Sequence, residues 1–279
     1  MKIIAALRVK NEEWIINYNL SVLSEIVDEI VLVDDGSSDK TIEIAKKYEK
    51  VTSIHVNQPK DDLDIDELRD WNKMTELAVN RSADYILFTD ADEVLEPLII
   101  DKLDSLIKNK DTLMFKFRKV SPWKGLDKIR TDDPRYDRPA KDNFNPVLVK
   151  VTSDLKWKST RGGILKRFVK KVVRGEKFKP NYGRTLTHID KHQTECRDDI
   201  VAVHFNNIDH NRLLKKQVYY ALREKAMRPY KSFDEIIDWV ARGWAEDEMI
   251  IKEFNKNWLW SSYINLIKFD DNTLKKEEN

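Results

Sequence analysis

The amino-acid sequence predicts an α/β protein: a Rossmann-like, mostly parallel sheet flanked by helices, with a C-terminal helical extension. Two observations predict it. Four short apolar runs, residues 3–7, 30–33, 54–56 and 85–88, lack polar alternation, as strands buried on both faces do. Between them, apolar residues recur at helical spacing, so the chain reads βαβαβαβ and should form three layers.

Each element has its own signal. After the first strand, Ile15, Ile16, Leu20, Leu23 and Ile26 mark one helix face; after the second, Ile42, Ala45 and Tyr48 mark another, behind an Asp39 cap. Leu68, Trp71, Thr75 and Ala78 form the third face, between the third and fourth strands. Beyond Pro97 a short helix carries Leu103, Leu106 and Ile107, and residues 113–117 read as one more strand. Residues 118–162, rich in Pro, Asp, Arg and Lys, read as functional loops around a strand at 146–151. Helical spacing returns in Leu214, Val218 and Ala221, then in Phe233, Ile236, Ile237 and Val240.

Composition removes several classes. With 279 residues and 41% hydrophobic content the chain can bury a substantial core, while only 7 Gly and 8 Pro exclude collagenous or linker-dominated architectures. The single cysteine, Cys196, permits neither an internal disulfide nor a cysteine-based zinc site, which fits a reducing, cytoplasmic setting. No apolar run approaches the ~20 residues that span a bilayer, so the expectation is a soluble protein, at most resting on a membrane surface. The net charge of +1 is sorted along the chain, with −11 over residues 1–115, +14 over 116–186 and −2 over 187–279. An acidic first segment suits a cation and a basic middle one an anionic partner, although chance alternation of solvated faces gives the same sums.

The first strand runs into Arg8-Val9-Lys10-Asn11-Glu12-Glu13, which is neither a dinucleotide fingerprint nor a P-loop. The second ends in Asp34-Asp35-Gly36-Ser37-Ser38-Asp39, and the fourth in Thr89-Asp90-Ala91-Asp92-Glu93. Open α/β sheets place ligands at the carboxyl ends of strands, where gathered carboxylates repel unless a divalent cation or a hydrogen-bonding ligand offsets them. Oxygen ligands favour magnesium or manganese, with coordination positions left for diphosphate oxygens.

These pieces, with Arg69 and Asn72 in the third helix, resemble family 2 glycosyltransferases of the GT-A fold over about residues 1–100. The resemblance implies a metal-dependent, inverting transfer of a sugar, of the hexosyl type, from a nucleotide-sugar to an acceptor hydroxyl. Arg8, Lys10, Asn11, Glu12, Asp34, Asp35, Arg69 and Asp90 would then bind the donor. Asp90 and Asp92 would serve the ribose and the metal-bound diphosphate, both as candidate metal ligands, with Asp92 preferred as the direct one. Arg69 serves equally well as a surface ion pair. Further on, Val201-Ala202-Val203-His204-Phe205, followed by Arg212, Lys215, Lys216, Tyr219 and Tyr220, resembles the late His strand and Arg-Lys-Tyr helix of related enzymes. His204 would complete the metal site, though a lone His among apolar residues also suits a core, and His188, His192 and His210 have weaker claims.

An inverting transferase needs a base for the acceptor hydroxyl. Asp132, Asp133 and Asp137 are the first candidates, with Glu195, Asp198 and Asp199 behind them. On a helical wheel Ile164, Leu165, Phe168, Val169, Val172 and Val173 oppose Lys166, Arg167, Lys170, Lys171 and Arg174, a basic amphipathic face for an anionic acceptor. A glycan or glycoconjugate is the family's usual acceptor; DNA with modified bases, a membrane surface, and a noncatalytic binding protein on the same scaffold are the alternatives. The expected division is a nucleotide-sugar part at 1–115, an acceptor part at 116–210 and the helical extension at 211–279.

Overall fold

A computed structural model describes residues 1–58, 66–130, 144–159, 172–173, 184–187, 189–242 and 250–268. In chain order the first half contains β1 (Ile3–Val9), α1 (Ile16–Ile26), β2 (Glu29–Asp34), α2 (Thr41–Ala45), β3 (Val51–Val56), α3 (Glu67–Val79), β4 (Tyr85–Asp90), β5 (Glu93–Leu95) and α4 (Ile99–Lys108). The second half adds β6 (Met114–Pro122), β7 (Lys128–Arg130), β8 (Phe144–Lys150), β9 (Trp157–Ser159), β10 (Arg184–Leu186), β11 (Thr194–His204), α5 (His210–Met227), α6 (Phe233–Arg242) and β12 (Ile251–Glu253).

Strands β3, β2, β1 and β4 lie side by side in that order and are all parallel. Their apolar runs need cover on both faces, and alternate residues of β1 show how they obtain it. Ile3, Ala5, Leu7 and Val9 pack with α1, whereas Ile4 and Ala6 pack on the other face with Trp71, Met74 and Ala78 of α3. Trp71 stacks on Phe88 with centroids 5.0 Å apart, and Trp157 meets Trp71 edge-on at 4.5 Å. Burial of these rings, together with edge-to-face attraction, anchors α3 to the sheet.

Beyond β4 the sheet becomes mixed. β8 runs antiparallel to β4, β6 antiparallel to β8, and β11 parallel to β6. Residues 118–122, 128–130 and 144–150 are therefore strands of the same sheet, which corrects the reading of 118–162 as loops around a single strand. In β6 the charged Lys116 and Arg118 interrupt the buried Phe115, Phe117 and Val120, so the strand shows alternation rather than an apolar run. Helix α5 corrects another expectation: Leu213 and Arg223 face inward, while Leu214 and Val218 are exposed. The C-terminal segment returns to the sheet: Trp260 Nε1 donates to Leu95 O at 2.8 Å, and β12 pairs with β7. Among the described residues no helix is long and apolar enough to cross a membrane.

Candidate active site

The register of the parallel strands brings the acidic strand ends together. Val9 stands opposite Asp34 across β1 and β2, and Arg8 opposite Asp90 across β1 and β4. Everything that follows β1, β2 and β4 therefore emerges on one edge.

Asp34 closes its own turn, since its carboxylate accepts from Ser37 N at 3.1 Å and Ser37 Oγ at 2.5 Å. The turn needs a positive φ at Gly36, 79°, where a side chain would be strained. Asn11 ties the loop after β1 to this turn: its N–H donates to Ser37 Oγ at 2.9 Å and its Oδ1 accepts from Ser38 N at 2.8 Å. Asp39 accepts from Thr41 N at 2.9 Å and from Glu13 N at 3.1 Å, one residue ahead of the cap position of α2, which Lys40 occupies. Lys10 Nζ is withdrawn from solvent and makes no hydrogen bond among the described residues.

A second cluster links β2 to α3. Buried Asp35 accepts from Arg69 at 2.9 Å and from Asn57 at 3.2 Å. Arg69 Nε and Asn57 also donate to Asp70, each at 2.8 Å, while Arg8 Nη1 lies 4.0 Å from the other Asp70 oxygen and Arg8 Nε 3.9 Å from Asp90. Burial works against the Arg8 charge, but Asp90, Glu67, Asp70 and Asp35 outweigh it and hold the guanidinium above its usual range. Arg69 is thus an ion-pair partner of Asp35 and Asp70 rather than an isolated surface charge. Asn72 has a structural role, pairing its amide with the Trp157 backbone at 2.9 and 3.1 Å.

The third cluster surrounds Asp92. Its buried carboxylate receives His204 Nε2 at 3.4 Å and Lys216 Nζ at 3.2 Å on one oxygen, Oδ2. His204 ends β11 opposite Glu93 of β5, and Phe205 N donates to Asp92 O at 2.8 Å, so strand pairing fixes the approach of the imidazole. Burial alone would push the Asp92 carboxyl up, but Lys216 and His204 outweigh it and hold it well below the usual carboxylate range. Glu12, bonded to Trp14 Nε1 at 2.6 Å, shows the reverse: burial and the Asp92 charge push it up to about 7, against Lys216 and Arg212. Arg212 lies over the Trp14 ring at 4.0 Å, which docks the start of α5 against the loop after β1.

A carboxylate oxygen and an imidazole nitrogen converging at the strand ends could hold a divalent cation whose other positions are filled by ligand oxygens and water, the imidazole favouring manganese over magnesium. Asp90 points toward Arg8 instead, and among the described residues no three His, Cys, Asp or Glu side chains gather at one point.

The profile of Glycosyl transferase family 2 matches residues 6–151, which contain both acidic strand ends. The chain belongs to this family. It is a glycosyltransferase with an α/β fold. A search of curated proteins gives no match. Among solved structures it is similar to S. aureus TarS 1-349, at 12% identity over 88% of this chain and 71% of that one, with a TM-score of 0.42. It is also similar to Mycobacterium tuberculosis glucosyl-3-phosphoglycerate synthase in complex with Mn2+, UDP and glucosyl-3-phosphoglycerate, at 22% identity, with a TM-score of 0.34. That match covers 42% of the transferase and 44% of the synthase, less than half of either chain.

Several expected residues of the transferase stand apart from this edge. On β11, Glu195 and Asp199 pair with Arg197 at 3.2 and 2.7 Å, and Asp199 also meets Lys102 at 3.2 Å. Asp198 and Asp199 lie where the register of β11 against β6 shifts, between Arg197 and Val201, and both are exposed. His192 and His210 are exposed as well. Asp132, Asp133, Asp137, His188, Lys166, Arg167, Lys170, Lys171 and Arg174 lie outside the described residues.

Two supports of the site escaped the sequence reading. Asn19 of α1 donates to the carbonyls of Ala91 at 2.8 Å and Glu93 at 3.0 Å. Lys119 of β6 pairs with buried Glu93 at 3.1 Å. The available signals were an Asn inside an apolar helix face and a Lys one residue before a buried Val.

Proposed function

We propose that this glycosyltransferase uses a nucleotide-sugar donor and a divalent cation held by Asp92 and His204. The convergence of those two side chains at the carboxyl ends of the strands carries the reading. When bound, such an ion offsets the negative charge that builds on the departing nucleoside diphosphate. The protein's own cations supply the rest: the Lys10 ammonium, withdrawn from solvent without an acceptor among the described residues, is ready for an anionic group, and a desolvated ammonium gains most from finding one. Asp35, held in place by Arg69 and Asn57, presents a fixed carboxylate to the base or ribose. Asn11 and Glu12 shape the adjoining wall, and Asp90, oriented by Arg8, faces the ribose side.

Transfer proceeds with inversion, and one of Asp132, Asp133 and Asp137 removes the acceptor proton. The ion pairs of Glu195 and Asp199 on β11 support this choice. The acceptor is a glycan or glycoconjugate bearing anionic groups, met by the +14 segment and by Lys166, Arg167, Lys170, Lys171 and Arg174. Residues 1–115 serve the donor, 116–210 the acceptor, and 211–279 form an extension that reaches the donor site through α5.

Calorimetry with a panel of nucleoside diphosphates, with manganese or with chelator, tests the donor site. Binding should require the cation, and Asp92→Ala should abolish it; tight metal-independent binding overturns the reading. For the acceptor, Lys170→Glu with Lys171→Glu should raise the KM for an anionic acceptor and leave donor hydrolysis unchanged. Unaltered acceptor kinetics, with no competition from phosphorylated oligosaccharides, duplex DNA or anionic liposomes, would remove the anionic-acceptor assignment.

A further inference from the structure

The oxygen of Asp92 that meets His204 is the same oxygen that Lys216 occupies. Lys216 Nζ lies 3.2 Å from Asp92 Oδ2, and His204 Nε2 lies 3.4 Å from it. A divalent cation bound between Asp92 and His204 would meet the ammonium at ion-pair distance, where like charges repel strongly in a partly desolvated site. The two cations cannot share Oδ2.

Lys216 also has a second place to go. Its charge bears on Glu12 as well as on Asp92, two carboxylates carried by different strand-end loops. The lysine is carried by α5, which Asp209 caps through Arg212 N at 2.8 Å and Arg212 docks onto Trp14. Its backbone is therefore anchored, and four rotatable side-chain bonds let the ammonium move without moving the helix. A fixed backbone and a mobile charge describe a counter-ion that can yield its position.

We propose that Lys216 is an internal counter-ion that competes with the divalent cation for Asp92 Oδ2 and sets the metal affinity of the site. The proposal rests on the reading that Asp92 and His204 hold the cation. Under it, Lys216 neutralises the Asp92 carboxylate, and metal binding hands the ammonium over to the Glu12 side. The competition makes binding of the cation alone weak. Lys216 is thus a positioning residue, acting on the metal through Asp92.

The test is direct binding of Mn2+ alone to the full chain, followed by the paramagnetic resonance signal of the free ion, with no nucleotide or turnover. Lys216→Met should bind Mn2+ at least about tenfold more tightly than the unmodified protein. Lys216→Arg, which keeps the competing charge, should bind as weakly as the unmodified protein. Asp92→Asn should lose binding whether made alone or together with Lys216→Met. Circular dichroism melts in chelator establish that each variant is folded. If Lys216→Met leaves Mn2+ affinity unchanged or weakens it while Asp92→Asn abolishes binding, the competition is refuted and the metal site stands. If no variant binds Mn2+, or Asp92→Asn has no effect, the metal site itself fails and the counter-ion role fails with it.

Discussion

Asn19 Nδ2 donates to Ala91 O at 2.8 Å, so a buried amide on α1 holds the backbone between Asp90 and Asp92 from beneath. The same nitrogen reaches Glu93 O at 3.0 Å, and Thr89 Oγ1 donates to that carbonyl also at 3.0 Å. The carbonyls of an irregular segment buried against a helix need such donors, because no neighbouring strand supplies them. Two acidic side chains one residue apart can then face different partners, Asp90 toward Arg8 and Asp92 toward His204 and Lys216.

Asn19→Leu preserves the volume of the side chain and removes its donor. The Ala91 and Glu93 carbonyls are left short of partners, which should cost about 1–3 kcal/mol of stability. Denaturant unfolding reads this loss, and Mn2+ affinity should fall with it. A variant that keeps its stability but loses metal affinity would mean that Asn19 orients the loop without supporting the fold.

Lys119 and Glu93 form the most enclosed ion pair near the site, with side chains 14% and 1% exposed. Burial opposes the Lys119 charge, yet Glu93, Asp90 and Asp92 outweigh it and hold the ammonium above its usual range. Lys119→Met leaves the Glu93 carboxylate buried without that cation, a loss of about 3–5 kcal/mol. The loss should shrink toward pH 5, because a buried carboxyl deprived of a neighbouring cation takes up a proton more readily. Urea melts at pH 5 and pH 8 check both statements, and a loss independent of pH would assign the effect to packing.

The sequence was most legible where physics is local. Unbroken apolar runs located β1, β2 and β4, because strands covered on both faces cannot alternate, and the acidic residues at the ends of β2 and β4 followed from strand direction; β3, at the sheet's edge, is only half-buried, which corrects the expectation that it is covered on both faces. The edge of the sheet was harder to read. β6 was legible at its start, as the strand expected over 113–117, but its continuation alternates with charged residues and β7 is three residues long, so 118–122 and 128–130 do not stand out from a charged loop. The pairing of β6 with β8 and β11, and of β7 with β6 and β12, identifies those stretches. Site residues followed the same rule: Asp92 and His204 were visible as types at strand ends, whereas Asn19, Lys119 and the sharing of Asp92 Oδ2 depend on contacts between residues far apart in the chain.

Glu12 gives a pH signature. Its carboxyl rises from 4.5 to about 7, through burial first and the Asp92 charge second. Between those values the folded protein keeps a proton that the unfolded chain has released, so stability falls as pH rises from about 4.5 to about 7. Asp92 is held below the usual range and acts below this window, where stability is lost as pH falls. Glu12→Gln imitates the protonated form throughout, so the variant's gain over the unmodified protein should grow across the window and level off above pH 7. Melting temperatures in chelator, compared pairwise at each pH, measure that difference; a constant difference would place the Glu12 pKa near its ordinary value.

His204 separates a ligand from a core residue. Its side chain is 16% exposed and ends a strand whose backbone pairing, His204 to Glu93, does not depend on the imidazole. The Phe205 N–H to Asp92 carbonyl bond at 2.8 Å likewise survives truncation. His204→Ala should therefore lower Mn2+ affinity by at least about tenfold, as loss of a coordinating nitrogen requires. In chelator its stability should change by less than about 1 kcal/mol, since little apolar area and no strand hydrogen bond are lost. The opposite pattern, a large drop in metal-free stability with Mn2+ affinity intact in the folded fraction, would make His204 a core histidine and leave Asp92 without its nitrogen partner.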